Sequence, residues 1–73
     1  MGAITSKDPR KKKIVEALKM VSKSRKVTRV IQTPSGYFHG HCYSPAPNGK
    51  WNWLGVYSVK LDDNLDLLDF SVT

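Results

Sequence analysis

Apolar residues recur at helical spacing in one segment near the N-terminus. Intervals of four and three residues place the following side chains on one face of an α-helix: Ile14, Leu18 and Val21. Asp8 is a favourable residue in front of a helix, and Pro9 is well tolerated at a first helical position. We therefore expect one amphipathic helix over residues 9–24.

The rest of the chain has the composition and alternation of β-strands. Three segments are rich in β-branched and aromatic residues and are separated by turn residues: 26–32, 37–44 and 51–60. A Pro- and Gly-containing turn follows the first, and Asn48-Gly49 is a strong hairpin signal before the third. Residues 65–72 are predicted to form a fourth strand or an extended tail. Their alternation of apolar and polar residues changes phase at Leu67-Leu68, and a bulge there would keep the segment a strand.

These elements predict an α+β fold in which the helix packs on a three- to four-stranded antiparallel meander. An SH3-like small barrel is the alternative architecture. A length of 73 residues allows one small domain, which we place at residues 8–73. Residues 1–7 lack periodicity and are expected to form a disordered N-terminal arm.

Aromatic side chains are concentrated on one face of the predicted sheet. Alternation along the strands places five of them together: Tyr37, Tyr43, Trp51, Trp53 and Tyr57. The opposite face carries side chains that suit contact with the helix: Phe38, Cys42, Leu54 and Val56. Two interpretations stay open: the aromatic face forms the core, or it is exposed and stacks bases or binds a protein partner. We expect Trp51, at the start of its strand, to be the more accessible tryptophan.

Charge is divided unequally along the chain. Residues 1–33 carry ten basic and two acidic side chains, and residues 34–73 carry two basic and four acidic ones, so the net charges are +8 and −2. This division predicts a negatively charged partner, which is a nucleic acid, a membrane surface or an acidic protein. The cations expected to contact it are near the helix start or on the helix: Arg10, Lys11, Lys12, Lys13 and Lys19. Because the first four crowd the positive end of the helix dipole, we expect the first turn to fray until a partner binds.

Side chains that support catalysis or metal binding are few. His39, His41 and Cys42 are the candidate metal ligands, but neighbouring residues of a strand point to opposite faces, so they cannot all bind one ion. The same geometry separates His41 from Cys42 as a base and its nucleophile. The single cysteine cannot form an internal disulfide, and the chain has no glycine-rich phosphate loop. We expect no enzyme activity, no metal and no cofactor.

Membrane association has one sequence signal. Residues 1–6 fit the N-myristoylation pattern at Gly2, with basic residues behind them, as in a lipid-anchored peripheral protein. The other interpretation, a disordered leader without modification, is the one we favour. No apolar run approaches the roughly 20 residues needed to span a bilayer, and an apolar signal-peptide region is absent.

The segments Lys11–Leu18 and Trp51–Gly55 resemble parts of the small RNA polymerase-binding transcription regulators of lytic Xanthomonas phages. That resemblance implies action in the cytoplasm of a bacterial host, and we expect the protein to be a monomer. It also implies binding to host RNA polymerase near the RNA exit channel, at the N-terminal region of β′ and the β flap, and nascent RNA is a further candidate contact. The implied effects are inhibition of initiation and antitermination.

The partner-binding residues expected for such a regulator fall into two sets. The basic residues of the helix region supply electrostatic attraction, and three aromatic residues supply the anchor: Tyr43, Trp51 and Trp53. The competing hypothesis is a small single-stranded nucleic-acid-binding module, which would bind RNA or DNA without polymerase.

Overall fold

One helix packs on an open antiparallel sheet of five strands. The computed structural model describes residues 2–72. The elements in chain order are β1 (Gly2–Ala3), α1 (Lys11–Ser22), β2 (Lys26–Gln32), β3 (Phe38–Pro45), β4 (Trp51–Leu61) and β5 (Leu67–Val72). The strands lie in sequence order, each antiparallel to the next. The α+β prediction is confirmed, but the sheet has five strands rather than three or four, and it is open rather than a small barrel.

The N-terminal segment differs from the expected disordered arm. Residues 2 and 3 form β1, which pairs with the end of β2. The backbone N–H of Ile4 donates to the carbonyl of Val30 at 2.8 Å, and the Ile4 side chain is only 8% exposed. A two-residue strand and one apolar anchor leave no periodic signal, which is why sequence reasoning missed them. Met1 lies outside the described residues.

The helix begins later than expected and is not capped by Asp8. Arg10 occupies the N-cap position and makes no side-chain capping bond. The Asp8 carboxylate instead accepts hydrogen bonds from the Arg10 guanidinium, at 2.8 and 3.1 Å, and from the Arg10 backbone N–H, at 2.8 Å. These bonds lower the pKa of Asp8 to about 2. Asp8 therefore fixes the turn before the helix rather than the first helical turn.

Three hairpin loops of the same geometry join β2 to β5. In residues 33–36, 46–49 and 62–65, the N–H of the fourth residue donates to the carbonyl of the first, at 3.0, 3.2 and 2.9 Å. The fourth residue has a positive φ in each: Gly36, Gly49 and Leu65. A turn closed by a left-handed residue suits the twist of adjacent strands. The short loops keep the strands in sequence order.

The core lies between the helix and one face of the sheet. Ile14 and Leu18 of α1 are fully buried, as are Cys42 of β3 and Val59 of β4. At Gly40 the helix approaches the sheet closely, since a Cβ placed there would lie 2.7 Å from Leu18 Cδ1. Within the described residues this helix covers one face of the sheet only, and the other is here called the open face.

A bulge in β4 changes which side chains reach the open face. Cys42 pairs with Gly55, but the next residue of β3, Tyr43, pairs with Trp53, so β4 contains one extra residue. Gly55 has a φ of +133°, a conformation that residues with a Cβ rarely adopt. Trp53 therefore points away from the helix.

Two predictions about sheet faces are wrong because of this bulge. Tyr57 pairs with Gly40 on the helix side and packs against the core, so it does not share a face with the tryptophans. Val56 pairs with His41 on the open face, and Leu54 is exposed rather than covered by the helix. Phe38 and Cys42 do lie in the core, as expected.

Candidate functional site

Four rings lie close together at one end of the open face, and we call them the aromatic cluster: His41, Tyr43, Trp51 and Trp53. Pairing of β3 with β4 places Tyr43 beside Trp53 and Pro45 beside Trp51. The centroid of the Trp53 ring lies 5.1 Å from that of His41 and 5.4 Å from that of Tyr43. Trp51 is 44% exposed and Trp53 is 54% exposed, so the prediction that Trp51 is the more accessible of the two is wrong. The tryptophans thus form a surface rather than a core.

The rings of the cluster meet edge to face. The angle between the Trp53 and His41 planes is 66°, and that between the Trp53 and Tyr43 planes is 63°. Edge-to-face pairs are a favourable arrangement for aromatic side chains and hold each ring in a defined orientation. Because these pairs are not parallel stacks, they leave ring faces available to another planar group.

Positively charged residues lie in or next to the strands that carry the cluster. Lys26 pairs with Tyr43 across β2 and β3, and its Nζ lies 5.2 Å from the Trp51 ring centroid and 5.8 Å from that of Tyr43. Arg25 is exposed next to it, and its backbone N–H donates to the Tyr43 carbonyl at 2.9 Å. Lys50 is exposed immediately before Trp51. We call Arg25, Lys26 and Lys50 the basic rim.

Negative charge is absent from the chain segment that builds this surface. No acidic residue occurs between Glu16 and Asp62, so β2, β3 and β4 carry only positive formal charges. The field at the cluster therefore favours an anionic ligand. The net charges of residues 1–33 and 34–73 do not reveal this acid-free segment, because the first range combines β2 with the basic helix.

At the other end of the sheet, Tyr37 is tied to an acid. Its hydroxyl donates to Asp69 Oδ2 at 2.7 Å, and this bond raises the pKa of Tyr37. Lys60 Nζ lies 5.6 Å from the Tyr37 ring centroid. Tyr37 is therefore part of a separate polar group rather than of the aromatic cluster.

The basic residues predicted as contacts lie on the helix layer, across the sheet from the cluster. Arg10 is paired with Asp8, and its guanidinium carbon lies 5.4 Å from the Phe38 ring centroid. Lys11 is half-buried, whereas three lysines are exposed: Lys12, Lys13 and Lys19. Among the described residues, one pair of oppositely charged side chains, Arg10 and Asp8, has its nitrogen and oxygen atoms within 4 Å. The predicted basic residues and the predicted aromatic residues therefore lie on two separate surfaces.

The candidate metal ligands do not converge. Cys42 is buried on the helix side, where its thiol donates to the Gly40 carbonyl at 3.6 Å, while His41 lies on the open face. In residues 2–72 no three His, Cys, Asp or Glu side chains are grouped for a metal ion. The same part of the chain holds no helix with the length and apolarity needed to cross a bilayer.

Sequence reasoning missed two members of this site. His41 shares a strand face with Tyr43, a relation visible in the sequence, but its chemistry pointed to a metal ligand or a catalytic base rather than to an aromatic surface. Lys26 joins the cluster through the register of β2 against β3, which the sequence does not specify.

Comparison with known proteins does not identify a similar protein. No protein family matches the chain, and no curated protein or solved structure is similar to it. The functional argument therefore depends on the residues and their geometry.

Proposed function

We propose that this protein binds single-stranded nucleic acid on the open face of its sheet. The observation that carries the proposal is the exposure of two tryptophans on one strand, β4, that holds no acidic residue. Unpaired bases would stack on Trp51 and Trp53, and the basic rim would contact the phosphates.

The chemistry of the surface supports this ligand class. Stacking of a base on an aromatic side chain contributes about 1–3 kcal/mol and tolerates any base, since every base has a π-face. Paired bases in a duplex do not expose those faces. A sheet face with two or three aromatic rings matches about two or three unpaired bases.

A labelled-oligonucleotide titration tests the proposal. We expect fluorescence anisotropy to show binding to a single-stranded oligonucleotide and weaker binding to its duplex. Trp53→Ala should weaken binding about 10- to 100-fold, the loss of one stacked base. Met20→Ala is the matched control, because Met20 is 62% exposed but lies on the helix.

Salt dependence gives a second measurement. Three rim cations that each neutralise a phosphate predict a log–log slope of about −2 for a single strand. A slope near zero, or equal affinities for Trp53→Ala and the parent, would reject the proposal.

A second candidate function is regulation of bacterial RNA polymerase near the RNA exit channel, with inhibition of initiation and antitermination. One observation favours it: Lys12, Lys13 and Lys19 are exposed on a surface separate from the aromatic cluster. A protein with two such surfaces can hold an acidic protein by its helix while nascent RNA lies on its sheet. The resemblance to the phage regulators supports the identity of that acidic protein.

Capture of purified core polymerase tests the second candidate. We expect binding at micromolar concentration in moderate salt, reduced inhibition of a promoter assay by the triple variant Lys12→Ala, Lys13→Ala, Lys19→Ala, and retained oligonucleotide binding by that variant. Failure to capture polymerase under these conditions would remove this candidate and leave the first untouched.

A further inference from the structure

The helix covers only part of the sheet face on which it packs. α1 contacts β2, β3 and β4, whereas two apolar side chains of β5 are left exposed: Phe70 is 53% exposed and Val72 is 62% exposed. Phe70 pairs with Val59 and Val72 pairs with Tyr57, which places both on the helix side of the sheet. A helix is about 10 Å wide and strands lie about 4.8 Å apart, so a second helix beside α1 would lie over β5.

A bulge adds a third apolar residue of β5 to this side of the sheet. Lys60 pairs with Asp69 but Leu61 pairs with Leu67, so β5 contains one extra residue, Leu68. Leu67 packs against the core. It therefore lies on the same side of the sheet as the two exposed residues, although it is an odd number of positions away from them.

A groove of about 190 Å³ separates α1 from the start of β5. Its helix wall includes Ala17 and Met20, and its strand wall includes Leu67. Ala17 is buried, whereas Met20 is 62% exposed. The groove and the uncovered part of β5 lie on the same side of the sheet, and we call the apolar residues of both the apolar groove: Ala17, Met20, Leu67, Phe70 and Val72.

Acidic residues border the apolar groove. Glu16 and Asp66 line it and are exposed, and Asp63 is exposed in the loop before β5. Of the described residues that line the groove, Lys13 is the one cation. In the described part of the chain none of the three acids has a cationic nitrogen within 4 Å. This border attracts a basic partner and disfavours nucleic acid and anionic lipid.

The edge of β5 does not favour an added strand. The N–H of Phe70 donates to Asp69 Oδ1 at 2.8 Å, and the bulge at Leu68 interrupts the regular pairing of β5. Both features hinder pairing with a further strand. A helix needs no backbone groups from β5, because its own N–H and C=O groups bond to each other. The occupant that suits this surface is therefore a helix.

We propose that the apolar groove binds an amphipathic helix of another protein, one with apolar residues three and four positions apart and Lys or Arg beside them. Its apolar face packs on Met20, Phe70 and Val72, and so extends the helical layer that α1 begins. Its cations meet Glu16 and Asp66. The proposal does not depend on what the aromatic cluster binds, since the two surfaces lie on opposite sides of the sheet.

Selection from a library of random peptides tests the proposal. The peptides have about 16 residues, which is enough for four helical turns, and the target is the immobilised full chain. Each round removes peptides that also bind the double variant Phe70→Ser, Val72→Ser. We expect the enriched peptides to be net basic and to repeat apolar residues at intervals of three and four.

Anisotropy titrations with one enriched peptide locate its site. Met20→Ala, and separately the double serine variant, should weaken peptide binding about tenfold or more, with circular dichroism showing that each is folded. Trp53→Ala should bind the peptide like the parent, because Trp53 is as exposed as Phe70 but lies on the open face. Oligonucleotide binding should show the reverse, retained by Met20→Ala and weakened by Trp53→Ala. The two proposals can therefore fail separately.

A charge reversal tests the acidic border. The variant Glu16→Lys, Asp66→Lys should bind the peptide more weakly than the parent and prefer a version in which Glu replaces each Lys and Arg.

Four results would overturn the proposal: no enrichment over the double serine variant, enriched peptides that are net acidic or alternate like a strand, equal affinity for Met20→Ala and the parent, and an unchanged charge preference after the reversal. A parent that dimerises in analytical ultracentrifugation, while the double serine variant stays monomeric, would make a second copy the occupant and would equally overturn it.

Discussion

The replacement of Gly40 by alanine tests how the helix is seated on the sheet. Gly40 lies in the middle of β3, and an added Cβ would be 2.7 Å from Leu18 Cδ1 and 2.8 Å from Val27 Cγ1. Both distances are below van der Waals contact. Leu18 is fully buried, so its side chain cannot move aside without disturbing the core.

The net effect follows from two opposing terms. Overpacking of a core costs about 1–3 kcal/mol, whereas glycine in a strand interior is about 0.5–1 kcal/mol less stable than alanine. We expect Gly40→Ala to reduce the free energy of unfolding by about 1–2 kcal/mol. In a domain of this length that lowers the midpoint of thermal unfolding by roughly 5–15 °C.

Thermal and chemical unfolding followed by circular dichroism measures this effect. Gly2→Ala is the matched control, because nothing lies within 4 Å of its added Cβ, and its stability should stay near the parent's. Leu18→Val removes the atom of Leu18 that lies closest to the added Cβ. It should therefore reduce the free energy of unfolding less in the Gly40→Ala background than in the parent. If Gly40→Ala is as stable as Gly2→Ala, the close approach of α1 to β3 is wrong.

Three further predictions concern charge and backbone. Asp8→Asn should be less stable than the parent at neutral pH, and the difference should shrink below about pH 4 and disappear only below pH 2 in denaturant titrations. The reason is that the pKa of Asp8, about 2 against an ordinary 3.8, makes its carboxylate stabilising above about pH 4, an effect lost as pH falls. Lys23→Gly should raise the free energy of unfolding by about 0.5–1 kcal/mol, since Lys23 ends the helix with a φ of +55°. Asp69→Asn should lower the pKa of Tyr37 toward its usual value in an ultraviolet titration.

Elements with a strong local pattern could be predicted from the sequence. β2 has the predicted bounds, and the core residues of the helix stripe, Ile14 and Leu18, are buried as expected. Two of the three hairpin loops, residues 33–36 and 46–49, were visible because proline and glycine mark their turns, whereas residues 62–65 contain neither. Local signals were sufficient here since neighbouring strands are joined by short turns.

Features set by tertiary register could not be predicted. β2 contains a bulge, with Thr28 opposite His41 and Ile31 opposite His39, and Arg29 has a φ of +54°. Arginine carries no sequence signal for a left-handed conformation. This bulge and the burial of Ile4 both depend on contacts between distant segments, which periodicity does not record.

The bulge in β4 connects the core of the protein to its candidate binding face. Val59, Tyr57, Trp53 and Trp51 all lie at odd-numbered positions of β4, so a regular strand would direct all four to the helix. The extra residue, Leu54 beside Gly55, lets one strand give Val59 to the core and both tryptophans to solvent. Burying an aromatic side chain is strongly favourable, so stability alone gives no reason to expose two of them. Their exposure on a positively charged face is the reason to expect a ligand that covers them.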